Sequence, residues 1–257
     1  MAGSLILNQF YEQMHSMYPQ KGISFLVGEH RGTGIITPFV HDTTDGVCGN
    51  AFEIFEDSVV DIDAWINCAI DMGYEEIWLQ GHSLGPSKMA YYASRDAVNL
   101  KVKGLIFISP SDMAGLVRTP DAIGLHQSML SEAEALVLEG GSKSILSISM
   151  FDGEMLSAQT YINFFSDNSA CAIFNFGQPQ FGWEIVNKIK LPTLAITGTK
   201  DDGIVPVCDP HKAMKTLEME LKNSKEVKTL VYEGAEHSFD GFGQKIVEDV
   251  SFFVGLT

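Results

Sequence analysis

Short apolar runs rich in Ile, Val, Phe and Leu punctuate the chain at residues 23–27, 76–80, 102–109, 191–197 and 227–232, and each reads as a strand. Between most of them, apolar residues recur every three or four positions. The clearest such stretch covers about 51–72, where Phe55, Val59, Ile62, Ile66 and Ala69 form one face and Glu56, Asp57, Asp61 and Asp63 the other. Further helices are expected at about 8–18, 88–97, 210–222 and 244–253. Strands alternating with helices imply an α/β fold with a mostly parallel sheet flanked by helices, because parallel neighbours need a crossover and that crossover is normally helical.

The alternation breaks between 111 and 190. Helix-like patches at 125–139 and 155–165 lie there in irregular sequence with Gly, Asn and Pro. An interval this long, late in the strand order, suits a helical cap inserted over one end of the sheet. The expected organisation is therefore a core of 1–110 and 191–257 with a cap at 111–190. The alternative is a pair of packing helices with no gating role. No internal repeat, heptad or low-complexity tract points to a further module.

A chain of 257 residues can fold as one α/β domain with a sizeable core. Lys and Arg total 17 against 33 Asp and Glu, a net charge of −16 that repels phosphate backbones and anionic lipid surfaces. Nucleic acid is accordingly not an expected partner. Cys48, Cys68, Cys171 and Cys208 lie far apart without metal-ligand spacing, which fits a reduced intracellular compartment better than a disulfide framework. The first residues show no basic leader, and no run approaches the roughly 18 apolar residues of a membrane span. A cytoplasmic protein is expected.

The chemistry concentrates at three places. Gly81-His82-Ser83-Leu84-Gly85 follows the run at 76–80 and precedes a helix, the strand–turn–helix context of a nucleophile elbow. A serine at such a corner sits in strained backbone, small neighbours let strand and helix approach, and the helix start offers free N–H groups to an oxyanion. The second place is the strand that ends Thr197-Gly198-Thr199-Lys200-Asp201-Asp202, which delivers a carboxylate at a strand's C-terminal edge. The third is the strand at 227–232, which runs into a loop holding His237. Ser, Asp, His in that chain order supply a nucleophile, an orienting anion and a base.

With these motifs the chain resembles the α/β-hydrolase-fold serine hydrolases, a superfamily of esterases and lipases, over essentially all residues from Ile23 onward. His30-Arg31-Gly32-Thr33-Gly34, Pro110-Ser111 and Val205-Pro206 resemble family features at the corresponding strand ends. The resemblance implies Ser83 as nucleophile, His237 as general base and an Asp as orienting acid. Three residues after Gly198 selects Asp201, and counting back four from Val205-Pro206 selects Asp202; Asp201 is preferred and Asp202 stays open. Leu84 would give one oxyanion-hole N–H, a second would come from Met1 or Ala2 in the Met1-Ala2-Gly3-Ser4 loop, and His82 joins the oxyanion and substrate-binding candidates. Cap residues Met150, Phe151, Tyr161, Phe164, Phe165, Phe174, Phe176, Phe181 and Trp183 would line an apolar acyl pocket. One departure stands out: the family strand that precedes the oxyanion loop is missing, so either an N-terminal portion is lacking or the sheet closes up unusually.

The implied activity is hydrolysis of a carboxylic ester or related acyl compound, neutral or apolar, through an acyl-enzyme, with no metal or organic cofactor. Acyl transfer or thioester cleavage is the enzymatic alternative, and a non-catalytic hydrolase-fold binding protein the alternative of another class. A dinucleotide-binding reading is weaker, since Gly32-Thr33-Gly34 lacks the later glycine of that fingerprint.

Overall fold

The computed structural model describes residues 9–40, 45–150 and 154–256. Its strands are β1 (Thr37–Val40), β2 (Asp45–Cys48), β3 (Ile77–His82), β4 (Val102–Ile108), β5 (Thr193–Lys200) and β6 (Val227–Glu236). The α-helices are α1 (Gln9–Met17), α2 (Ser58–Asp71), α3 (Gly85–Ala93), α4 (Met113–Leu116), α5 (Ile123–Leu138), α6 (Ala158–Phe165), α7 (Glu184–Asn187), α8 (Pro210–Glu220) and α9 (Gly243–Phe253). β3-β4-β5-β6 form a sheet in that order with every neighbour parallel, and β1 and β2 pair antiparallel in a separate hairpin. Four of the five strands expected from apolar runs are present with nearly the expected limits.

In the central strands β4 and β5, burial on both faces explains why the apolar run is continuous rather than alternating. Along β4, Leu105 and Phe107 enter one cluster with α3, α6 and α8 residues, while Ile106 and Ile108 enter the other with Met14 of α1 and Ile246, Val247 and Val250 of α9. β5 divides the same way, with Ala195 on the first face and Leu194 and Ile196 on the second. The period of two thus assigns each residue to one of two helix layers.

Two expectations are corrected. Residues 23–27 form no strand: β3 is the edge of the described sheet and no ladder reaches them. Side chains hold that segment instead: Phe25 packs on Tyr18, Tyr74 donates to the Ser24 hydroxyl (2.8 Å), and the Trp65 indole N–H donates to the Glu29 carbonyl (2.9 Å). The helix expected over 51–72 begins only at Ser58, after two short 3₁₀ turns. Its first residues are committed elsewhere, since the Ala51 carbonyl accepts from the Ser157 amide and the Thr160 hydroxyl, and Glu53 turns inward.

Glu53 and Lys88 of α3 form a buried ion pair with Nζ 2.5 Å from Oε1. His30 lies beside it, pushed down to about 4 by burial and the Lys88 charge, so its neutral Nδ1 accepts from the Gly32 amide. Arg31 anchors the same loop to α2 through Asp61 and Asp57. Removing one member of a buried pair strands the other charge, which costs about 3–5 kcal/mol. Urea denaturation of Lys88→Met is expected to show a loss of that size, with Lys88→Met/Glu53→Leu recovering most of it. A loss below about 1 kcal/mol in the single variant contradicts the buried-charge account.

Candidate active site

Ser83 occupies the corner between β3 and α3 with φ of 61°, a left-handed conformation that a non-glycine residue adopts at a strain cost. Its amide donates to the Ile108 carbonyl at 3.0 Å, which ties the corner to the end of β4. The flanking glycines contribute unequally. A Cβ on Gly81 would lie 2.7 Å from the Gly85 carbonyl carbon, whereas one on Gly85 would meet open space. Strand and helix therefore need glycine only on the strand side.

Across the sheet's C-terminal rim, the loop after β6 brings His237 Nε2 to 2.9 Å from the Ser83 hydroxyl. On the ring's other side Nδ1 lies 2.7 Å from Asp201 Oδ1. Asp201 is fully buried just past β5, where the Gly203 amide and the Thr197 hydroxyl, each at 2.9 Å, also donate to its carboxylate. Burial works to raise the Asp201 carboxyl, yet donation from His237, Ser109 and Thr197, with the His237 charge, holds it below its ordinary value. Burial likewise works to lower His237, and the Asp201 hydrogen bond and the charges of Asp201 and Asp202 leave it raised. Asp202 is placed differently: its Oδ1 is 3.8 Å from Nδ1 and its side chain is 84% exposed.

His82 engages the backbone of the segment that carries His237. Its ring, held neutral by burial and the neighbouring His237 charge, which push it down to about 4, donates from Nε2 to the His237 carbonyl at 2.7 Å. Leu84 caps the start of α3, where first-turn amides have no intrahelical partner. Met1 and Ala2 lie outside the described residues, as does Phe151. Of the expected pocket aromatics, Phe164 and Phe165 border a small pocket of about 20 Å³ that Leu84 also lines. Tyr161 and Phe174 are instead core side chains, packed on Phe165 and on Phe107.

Sequence reasoning missed Ser109. It directly follows β4, is fully buried, has φ of 52°, and sets its hydroxyl 2.8 Å from His237 Nδ1. Its position one residue past an apolar strand was legible, but nothing in the sequence sets it apart from other strand-ending serines. It also missed Asp112, a buried carboxylate that accepts from the amides of Gly115 (2.6 Å) and Gly177 (2.7 Å) while its own amide donates to Gly203. Burial, against those amides, pushes Asp112 up to about 6.

Asp201, Asp202 and His237 carry atoms within 4.8 Å of one another that could ligate a cation. Nδ1 is already engaged with Asp201, so a metal there would have to displace the proton between them.

No family model and no curated protein matches this sequence. Solved structures do. Est1E from Butyrivibrio proteoclasticus, with ferulic acid bound, superposes with a TM-score of 0.62 at 19% identity over 98% of this chain and 84% of that one. The fold is the α/β-hydrolase fold. A siderophore hydrolase, EstB from Aspergillus fumigatus, gives 0.56 at 16% identity over 77% of this chain and 76% of its own. Monoacylglycerol lipase from Paleococcus ferrophilus gives 0.51 at 21% identity over 80% and 79%.

The unequal glycines are open to test. Gly81→Ala is expected to destabilise the fold by several kcal/mol, as overpacking against backbone does, and Gly85→Ala to be neutral within about 1 kcal/mol. Thermal unfolding of the two variants checks this, and equal losses contradict it.

Proposed function

We propose that the chain is a serine hydrolase that cleaves carboxylic esters through an acyl-enzyme on Ser83. The contact running Asp201–His237–Ser83 carries this reading: each link is within hydrogen-bond distance, and each residue comes from a different strand end. In the proposed reaction His237 Nε2 takes the hydroxyl proton as Ser83 Oγ bonds to the ester carbonyl carbon. The oxyanion accepts from the Leu84 amide. His237 then returns the proton to the alkoxide as the ester C–O bond breaks and the alcohol leaves. Water, deprotonated by the same imidazole, attacks the acyl carbon; the bond from that carbon to Ser83 Oγ breaks, Oγ takes the proton back from the imidazolium, and the free acid departs.

In this reading Asp201 is the orienting acid and Asp202 adds only a longer-range charge. Ser109 and His82 are positioning residues, the first steadying the Asp201–His237 pair and the second fixing the backbone that carries the imidazole. Residues 111–190 act as a cap over the rim, with 1–110 and 191–257 as the core domain. The overall charge of −16 disfavours anionic substrates and leaves neutral esters as the substrate class. No helix among the described residues is long and apolar enough to cross a membrane. All four cysteines are free thiols, which supports assignment to the reducing cytoplasm.

A fluorophosphonate probe is expected to modify Ser83 stoichiometrically, with no labelling of Ser83→Ala and strongly slowed labelling of His237→Ala. Absence of both labelling and turnover of short-chain p-nitrophenyl esters would sink the proposal. The pH dependence has a definite sign. The base must be neutral and its pKa is raised, so kcat/KM rises with pH through a midpoint above the ordinary histidine value of about 6.5. Asp202→Asn removes a charge that raises His237, so the midpoint should move down while the plateau changes little. Asp201→Asn should cost on the order of 10⁴-fold in kcat. If Asp202→Asn is the more damaging change, the acid has been misassigned.

A further inference from the structure

Asn50 stands in a 3₁₀ turn whose backbone is clamped on both sides. Its own amide donates to Gly34, the Ala51 amide donates to Ile35, and the Ala51 carbonyl accepts from Ser157. The side chain, by contrast, makes no such commitment. Asn50 is only 7% exposed, and its Nδ2 is fully buried with no hydrogen-bond partner in the protein. Four other buried side-chain atoms share that condition, on Ser58, Ser87, Asn175 and Asn187, but only Asn50 lines the small pocket beside Leu84. An unpaired buried donor is costly to keep, and one on a residue in the wall of a pocket that Leu84, next in sequence to the proposed nucleophile, also lines is accounted for by a ligand oxygen.

The pocket's other walls narrow the ligand. Met113, Leu156, Phe164 and Phe165 make much of the remaining wall apolar. About 20 Å³ holds a single water-sized group. Glu154 borders the same space, so the terminal group best served is one that accepts from Asn50 and donates to a carboxylate. A hydroxyl does both. An ether or ketone oxygen does only the first, and a carboxylate would be repelled.

We infer that Asn50 is a specificity residue, and that the preferred substrates are esters carrying a hydroxyl on an otherwise apolar acyl or alcohol arm. This rests on the hydrolase reading of Ser83. A site that hydrogen-bonds a substrate hydroxyl discriminates against the analogue lacking it far more strongly than a pocket that only counts methylenes.

The test uses isosteric pairs: p-nitrophenyl esters of ω-hydroxy acids against their ω-methyl counterparts across chain lengths, and 2-hydroxyethyl against propyl esters of one acid. The wild-type protein is expected to prefer at least one hydroxylated member by tenfold or more in kcat/KM. Asn50→Leu should bring that ratio to one or below, and Asn50→Asp, which keeps the shape but loses the donor, serves the same purpose should the leucine variant fail to fold. Calorimetry of the same pairs with Ser83→Ala reads the preference as affinity, independent of turnover. Ester hydrolysis without any preference, or a preference that survives both Asn50 variants, overturns the inference and leaves the hydrolase standing. A Ser83 that neither reacts with fluorophosphonate nor turns over any ester overturns both.

Discussion

Parallel register is the constraint on which the site depends. His82, Ile108 and Ile196 lie level across β3, β4 and β5, and Ile196 is level with Leu230 of β6. All four chains run the same way, so everything that follows a strand emerges on one rim. Ser83, Ser109, Asp201 and His237 are residues that follow, or nearly follow, those four strands. A slip of one residue in any ladder would turn a clustered side chain to the other face and undo two helix-packed layers at once. The hydrophobic cost of a slip is thus also what fixes the polar geometry.

Around that rim, burial and hydrogen bonding compete and the outcome differs from group to group. Asp201 is buried yet held low because several donors, one of them an imidazole that can carry charge, converge on its oxygens. Asp112 is buried with backbone amides for partners, and there desolvation wins. His82 and His237 have rings 4.9 Å apart and move in opposite directions, because only the second touches a buried carboxylate. Two equal side chains are thereby divided into one fixed neutral donor and one titratable group.

Much of this was legible in the chain. Runs at 76–80, 102–109, 191–197 and 227–232 became β3 to β6; the two central ones, β4 and β5, are apolar enough to be buried on both faces, and the edge strands β3 and β6 are only partly buried. The clustering of Ser83, Asp201 and His237 was readable for a related reason: each lies a few residues past the C-terminal end of such a run. The run at 23–27 looked the same but forms no strand, since a strand needs a neighbour and composition does not say whether one is there. Which of Asp201 and Asp202 meets His237 depends on the loop's path, which turns the first inward and the second to solvent. Ser109, Asp112 and the Lys88–Glu53 pair depend on contacts across long sequence separations, to which local pattern is blind. Gly85, expected to matter as much as Gly81, has room to spare because the crowding comes from one side only.

Asp112 has a mechanical consequence. Its carboxylate grips Gly177 in the interval between β4 and β5, while its backbone reaches Gly203, whose amide in turn holds Asp201. The stretch around Gly177 is therefore stapled, through Asp112 and Gly203, to the loop that carries Asp201, so that neither can shift without breaking hydrogen bonds held by the other.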